Sequence, residues 1–328
     1  MSLGPGDVPR KQPVQAGSTE TRFSILVCTD GTEESYRGLR YAVRVGSGQD
    51  ADLTLLYVRQ VDQGLRTGGL DLSVARRNML DWGLELPGMT ALRKGRDILV
   101  ELGYLSEKWQ QEFRQIAVAD DPLGDHSTVY VSEEGRRITL KLMVSPSVPY
   151  GILDEAEAGR YDLVIISRPD SHDSVGLGYI APDTADMVAI EHSGTVLVAQ
   201  GLEESHGHLV CVTDSPESIA AARRDAIIAS RCACPVYLFS VAADESELAD
   251  CRKAVAAARA AIEEVGIKVS GEKVVVGDPV ESIVEEGRNY SVTVLSAARR
   301  RTGWRRFFTT SVAYKVLEHA KSSVMIAR

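Results

Sequence analysis

The chain has 328 residues, enough for two domains of ordinary size, each able to bury a hydrophobic core without disulfide or metal staples. Hydrophobic residues at 44%, charged residues at 25%, 28 Gly and 12 Pro exclude a low-complexity or collagen-like chain. The 37 Lys and Arg against 46 Asp and Glu leave a net charge of −9, which excludes a general electrostatic grip on nucleic acid or an anionic bilayer and leaves only local basic patches.

Residues 1–22 are polar and rich in Gly and Pro with no apolar period, so a disordered tail is expected there. FSILVCTD (23–30) is a short apolar run ended by Asp-Gly-Thr, and Tyr36, Leu39, Tyr41, Ala42 and Val45 follow at helical spacing up to Gly46. ADLTLLYVRQV (51–61) then reads as a second strand, which makes a βαβ unit on a parallel sheet. TALRKGRDILVELG (90–103) reads as a helix, as does EKWQQEFRQI (107–116), and STVYVSEEGRRITLKLMV (127–144) reads as a hairpin about a Glu-Gly turn. No stretch approaches ~18 consecutive apolar residues, and the first twenty residues lack the apolar core of a signal peptide, so a cytoplasmic protein without a membrane partner is expected. Five scattered cysteines, Cys28, Cys211, Cys232, Cys234 and Cys251, do not form a disulfide framework.

The order strand, Thr-Asp, helix, strand recurs at 208–241, where Asp214 matches Asp30. SPSVPYGILDEAEAGRYDLVIISR (145–168) parallels GDPVESIVEEGRNYSVTVLSA (277–297), and DTADMVAIEHSGTVLVA (183–199) parallels SVAYKVLEHAKSSVMIAR (311–328). Three blocks in one order make the chain a duplication, with domains at 23–200 and 209–328 joined by a linker at 201–208. The first blocks are offset by 184 (30 to 214) and the later strand by 129 (167 to 296), so the first half carries roughly 50 extra residues within about 61–140.

ILVCTDGTEES, the Gly-Asp-Pro block and the closing SVAYKVLEHAKSSVMIA resemble the universal stress protein family in its tandem form. The resemblance implies an α/β fold of two tandem open, mostly parallel sheets, Rossmann-like and of the adenine-nucleotide-α-hydrolase type. It implies pairing through the last strand, here Thr195–Ala199 with Val324–Ala327, which would make the monomer a pseudo-dimer. Whether two chains assemble further as a homodimer is left open. ATP-binding members carry an Asp after the first strand, a small hydrophobic residue on the second, and a loop of pattern G-2x-G-9x-G-(S/T). Thr29, Asp30 and Val58 fill the first positions in one half, and Thr213, Asp214 and Val241 in the other.

Neither half keeps the glycines that let backbone N–H groups approach phosphate. The first loop places Asp170, Asp173 and Asp183 where phosphates would sit. The second, SAARRRTGWRRFFTTS, offers Arg299, Arg300, Arg301, Arg305 and Arg306 as guanidinium forks, with Thr310 at the last glycine position and Ser311 at the Ser/Thr. Adenine nucleotide in the second half, with Mg²⁺ only as its counterion, is the cofactor that the resemblance suggests.

Each feature also has a plainer reading. An Asp before a helix is an ordinary N-cap. The Arg loop with Trp304, Phe307 and Phe308 suits nucleic acid or an acidic protein but equally a solvated loop, and the acidic chain favours the latter. Cys232-Ala-Cys234 has no second pair or adjacent His in sequence and reads as structural. Ser171, His172 and Asp173 are neighbours on one loop without a nucleophile elbow, and His192 and His319 read as helix C-terminal residues. No paired carboxylates, HExxH or Walker A lysine is present, so the chain is not read as an enzyme. The expected function is a regulatory protein of this type that senses ATP or another phosphorylated ligand in its second half. The alternatives are an interaction scaffold using the insertion and the Arg loop for a protein partner, and, more weakly, an ATP-hydrolysing enzyme.

Overall fold

A computed structural model describes residues 22–47, 50–60, 87–118, 121–168, 182–202, 206–297 and 312–328. The first half contains β1 (Phe23–Cys28), α1 (Glu33–Ser47), β2 (Ala51–Gln60), α2 (Pro87–Glu101), β3 (Gln110–Val118), β4 (Asp121–Val131) and β5 (Arg137–Ser145). It closes with α3 (Val148–Gly159), β6 (Leu163–Ser167), α4 (Pro182–Glu191) and β7 (Val196–Ala199). The second half runs β8 (His208–Cys211), α5 (Pro216–Arg231), β9 (Val236–Ala242), α6 (Leu248–Glu263) and β10 (Val269–Val276). It ends with α7 (Pro279–Gly287), β11 (Val292–Ser296), α8 (Val312–His319) and β12 (Ser323–Ala327).

All twelve described strands form one sheet in the order β10-β9-β8-β11-β12-β7-β6-β1-β2-β5-β4-β3. Five strands of each half, β5-β2-β1-β6-β7 and β10-β9-β8-β11-β12, follow the same relative order, β4 and β3 extend the first half's edge, and the halves meet where β7 and β12 pair antiparallel, Val198 opposite Val324 and Val196 opposite Ile326. The central strands are apolar on both faces because helices cover both faces, as a parallel sheet requires. Tyr36, Leu39 and Leu99 from the helices and Ile25, Leu53, Val210 and Val236 from the strands belong to one core layer spanning both halves. Leu26, Val58, Ile152, Val188, Leu209, Ile283 and Leu317 belong to the layer on the opposite face.

The extra residues of the first half are distributed differently from the sequence expectation. Helix α2 matches 90–103, but it occupies the crossover place that α6 holds in the second half and is no insertion. Strand β5, the second strand of the expected hairpin, pairs parallel with β2 as β10 does with β9, so it too belongs to the shared fold. What is extra is 61–86, which lies outside the described residues, and 102–136, which carries β3 and β4. Residues 107–116 are not helical: Trp109, Phe113 and Ile116 mimic a helical stripe, but 110–118 pair antiparallel along β4 and extend the sheet. Long-range pairing overrides the local spacing. The hairpin and α2 enclose a cleft of about 190 Å³ lined by Leu92, Arg93, Phe113, His126 and Tyr130.

Polar contacts lock the halves together. Arg328 of the second half donates to the Ala189, Ile190 and His192 carbonyls at the end of α4, and Arg168 of the first half donates to Leu317 O of α8 at 2.7 Å. Each satisfies carbonyls that a helix terminus leaves unpaired. The expected capping role of His192 therefore falls to Arg328, while the buried imidazole of His192 has no hydrogen-bond partner among the described residues. His319 does bond its own helix, at Lys315 O. Across the other face, Tyr41 of α1 bonds His208 at 2.9 Å, and His208 bonds Asp225 of α5 at 2.8 Å, with His208 and Asp225 both fully buried. No helix among the described residues is long and apolar enough to cross a membrane.

Candidate functional site

The strand register and the helix caps independently fix how the halves superimpose. Cys28 opposes Leu56 and Ile166, and Cys211 opposes Phe239 and Leu295. The N-cap hydroxyls agree: Ser35 N donates to Thr32, and Ser218 N donates to Ser215. Both frames give an offset of 183 (28 to 211, 32 to 215), one less than the Thr-Asp match in the sequence. Val58 and Val241 remain equivalent, each two residues beyond Leu56 and Phe239. Asp30, however, is equivalent to Thr213, and Asp214 takes the place of Gly31. The equivalence of Asp30 with Asp214 is thereby corrected: the second half has no carboxylate at the Asp30 position.

In the first half the described residues at the strand ends are buried or half-buried. Thr29 is buried, its N–H bonded to Leu56 O at 2.8 Å and its hydroxyl 2.9 Å from Ser35 Oγ. Asp30 is half-buried and accepts from Thr32 N–H at 3.0 Å and Thr32 Oγ at 2.6 Å, an Asx turn and not the N-cap, which is Thr32. Burial pushes Tyr36 up to about 12 and raises Tyr57, and the Asp30 carboxylate adds to both, which places its charge against these rings. Gly31 holds φ +86, and a Cβ built there would lie 3.3 Å from Ala91 of α2. Val58 is 4% exposed because α3 presses on it through Gly151, where an added Cβ would lie 2.7 Å from Val58 Cγ1.

The equivalent described residues of the second half are more exposed. Thr213 is exposed, Val241 and Ala297 are half-buried, and Ser240 donates to Val212 O at 2.9 Å beneath them. Asp214 points away from the strand ends and forms an exposed ion pair with Lys253 of α6 at 3.2 Å. It lines a groove of about 600 Å³ between α5 and α6, with Ser215, Ile219, Arg223 and Ala261. The cap on α5 is Ser215, with Pro216 at the first helical position.

Thus the structure leaves Thr29 and Val58 buried with Asp30 half-buried in the first half, and Thr213 exposed with Val241 half-buried in the second, where Asp214 pairs with Lys253. Arg299, Arg300, Thr310 and Ser311 lie outside the described residues, as do Arg301, Arg305, Arg306, Asp170, Asp173, the Ser171-His172-Asp173 run, Trp304, Phe307, Phe308 and the tail at 1–21. Residues that sequence reasoning missed are Tyr57 and Gly151, which close the first-half position. The signal for Gly151 was present as a glycine inside an amphipathic helix, a mark of close packing.

A family model described as "Universal stress protein family" matches residues 22–198 and 208–328. Among solved structures, a universal stress protein from Archaeoglobus fulgidus aligns at 15% identity and TM-score 0.56, covering 93% of this chain and 98% of that one. A putative universal stress protein from Pseudomonas aeruginosa aligns at 17% identity and TM-score 0.56, covering 94% of this chain and 93% of that one. A universal stress protein in complex with cAMP aligns at 24% identity and TM-score 0.30, covering 37% of this chain and 95% of that one. No curated protein matches the chain. The family model spans both halves and their shared strand order accounts for it: the chain belongs to the universal stress protein family.

Proposed function

We propose that this is a binding protein of the universal stress type, cytoplasmic and regulatory, in which the second half takes a phosphorylated ligand, with adenine nucleotide as the probe of choice. The observation that carries the reading is the contrast at equivalent positions. Val58 and Arg168 are 4% and 9% exposed in the first half, whereas Val241 and Ala297 are half-buried in the second. A base stacks on an open apolar strand end, and a closed one has no room for it. Thr213 and Val241 then form the base and ribose end of the site, and Arg299, Arg300, Thr310 and Ser311 hold the phosphates and any Mg²⁺ that accompanies them. The first half acts as the partner in a pseudo-dimer joined at β7 and β12, and ligand binding in the second half alters the surface offered to a protein partner. No hydrolysis is assigned to the site.

Thermal unfolding with and without millimolar ATP and Mg²⁺ tests this. A ligand at 100 times its Kd adds about 2.7 kcal/mol, a rise of several degrees. Changing Arg299, Arg300 and Arg301 together to Ala removes that rise, and Asp214→Ala, whose carboxylate faces Lys253, leaves it in place. Absence of any rise in the wild type sinks the proposal.

One observation favours the scaffold reading instead. Strand β3 is the outermost of the described strands and exposes the apolar side chains of Phe113 at 61% and Ile116 at 60%. Such strands recruit other chains. On that reading ATP leaves the melting temperature unmoved and Phe113→Glu abolishes partner binding without changing the melting temperature.

A further inference from the structure

The junction between the halves holds a cluster that neither the nucleotide reading nor the fold explains. His208 begins β8, and Cys232 and Cys234 end α5 and precede β9; in sequence they are 24 and 26 residues from the histidine. The parallel crossover β8-α5-β9 brings them back together, so that one imidazole nitrogen and both sulfurs lie within 4.8 Å of one another, all three residues buried. Ala233 between the cysteines has φ +52, an uncommon conformation for a residue other than glycine, and the resulting turn puts the two sulfurs 2.6 Å apart. Two neutral thiols do not pack that closely; their van der Waals contact is about 1 Å longer.

The surroundings match what a soft cation needs. Nδ1 of His208 is bonded to Asp225 Oδ1 at 2.8 Å, which leaves Nε2 directed at Tyr41 Oη, 2.9 Å away, and toward the thiols. A carboxylate on the far nitrogen is the usual partner of a metal-bound imidazole, fixing its tautomer and raising its basicity. Asp225 is fully buried and its second oxygen, Oδ2, has no hydrogen-bond partner among the described residues. Arg44 of α1 approaches Cys234 Sγ at 3.9 Å and Cys232 O at 3.5 Å, a positive charge that offsets two thiolates and a carboxylate around a divalent ion. Cys232 and Cys234 each retain 8% exposure, whereas His208 has none.

We propose that His208 Nε2, Cys232 Sγ and Cys234 Sγ form a binding site for a thiophilic d¹⁰ cation, zinc(II) or copper(I), oriented by Asp225 and with the Tyr41 hydroxyl as the nearest fourth donor. Two thiolates and one imidazole select these ions over hard cations such as Mg²⁺. Zn–S bonds of ~2.3 Å at a tetrahedral angle place sulfurs about 3.8 Å apart, so binding rotates the two thiols away from each other by about 1 Å. A disulfide is the competing explanation of the short sulfur contact, but it gives no role to an imidazole converging on the same point. Because Tyr41 and Arg44 belong to the first half and the three ligands to the second, the ion ties the halves together irrespective of any nucleotide.

The test uses the whole chain, kept reduced and freed of metal, with equimolar Co²⁺ as a spectroscopic stand-in and Zn²⁺ as competitor. The expected result is one ion per chain, an intense tetrahedral d–d band with a sulfur-to-cobalt charge-transfer band, and bleaching of both when Zn²⁺ is added. Cys232→Ser and Cys234→Ser each weaken Zn²⁺ binding at least tenfold, Asp225→Asn weakens it about 10–100-fold through the imidazole, and Cys211→Ser and Cys251→Ser change nothing. The wild-type spectrum alone decides the matter if the variants fold poorly. A reduced protein that takes up no Co²⁺, a Co²⁺ spectrum without the sulfur band, or uptake indifferent to both cysteines would overturn the proposal; a Cys232–Cys234 disulfide in the mass spectrum of a chain that binds no metal after reduction would replace it with a redox pair.

Discussion

Superposing the halves at an offset of 183 sets His208 over Ile25 and Asp225 over Ala42 (25 to 208, 42 to 225). All four side chains are fully buried, so the same place in the same fold is filled once by an aliphatic pair and once by an ionisable pair. In the second half, burial works against the imidazolium, yet the Asp225 carboxylate outweighs it and holds His208 up at about 9. The first half demonstrates that the fold does not need the charges. Their presence in the second half, next to two cysteines, is what a site looks like when it is not required for packing.

That comparison breaks most visibly by removing one charge. Asp225→Ala in metal-free, reduced protein leaves His208 without its counter-ion at full burial and should cost about 3–5 kcal/mol in urea unfolding. Restoring the first-half solution, His208→Ile with Asp225→Ala, and Tyr41→Phe so that no hydroxyl is orphaned, should recover most of that loss or exceed wild-type stability. If the triple variant is as unstable as Asp225→Ala, the charges are needed for packing after all.

His192 and His319 give a second contrast. His192 is 4% exposed, and burial followed by the Arg328 charge lowers it to about 4, whereas His319 sits on the surface against its own helix. With a folded value of about 4 and an unfolded value near ~6.5, the unfolded chain takes up a proton that the folded one refuses between those limits. The contribution is intact above about pH 6.5 and falls away as the pH drops toward 4, by up to roughly 3 kcal/mol. His192→Leu should flatten that part of the stability profile; His319→Leu should not. An unchanged slope in His192→Leu would refute the assignment.

The reciprocal arginines are expected to matter less. Arg328→Met removes two donor contacts to α4 carbonyls, one to the His192 carbonyl just beyond the helix and one to Tyr314, and should cost about 2 kcal/mol. Equal unfolding midpoints for wild type and variant would show that the last turn of α4 is satisfied by solvent instead.

How much of this was legible follows from which forces are local. FSILVC and HLVC announce buried parallel strands because their runs 25–28 and 209–211 are continuously apolar, and the duplication follows from block order. The one-residue error at Asp30 arose because a shared Thr-Asp is conspicuous in sequence, while the hydroxyl caps Thr32 and Ser215, which fix the helix starts, differ in identity. Residues 107–116 misled because Trp109, Phe113 and Ile116 have helical spacing, and only pairing with β4, a long-range event, makes them a strand. His208 and Cys232 were invisible as a pair because a crossover connection, not sequence proximity, sets them side by side. Patterns of burial are written locally; convergence of side chains is written in topology.

The smallest effect sharpens the comparison at the strand ends. Asp214 and Lys253 are 45% and 71% exposed in their side chains, so their ion pair gains little over solvation and Asp214→Ala should change stability by less than about 1 kcal/mol. Its structural counterpart is Gly31, whose φ of +86 a side chain resists, so Gly31→Asp should cost more than the loss of Asp214, on the order of 1–2 kcal/mol. The asymmetry follows from the register: position 214 tolerates a side chain because it turns outward toward α6, and position 31 does not because Ala91 lies 3.3 Å from where a Cβ would stand. If instead Asp214→Ala proved the more damaging of the two, the outward placement of position 214 would be wrong, and with it the proposal that a second-half ligand is held without a carboxylate.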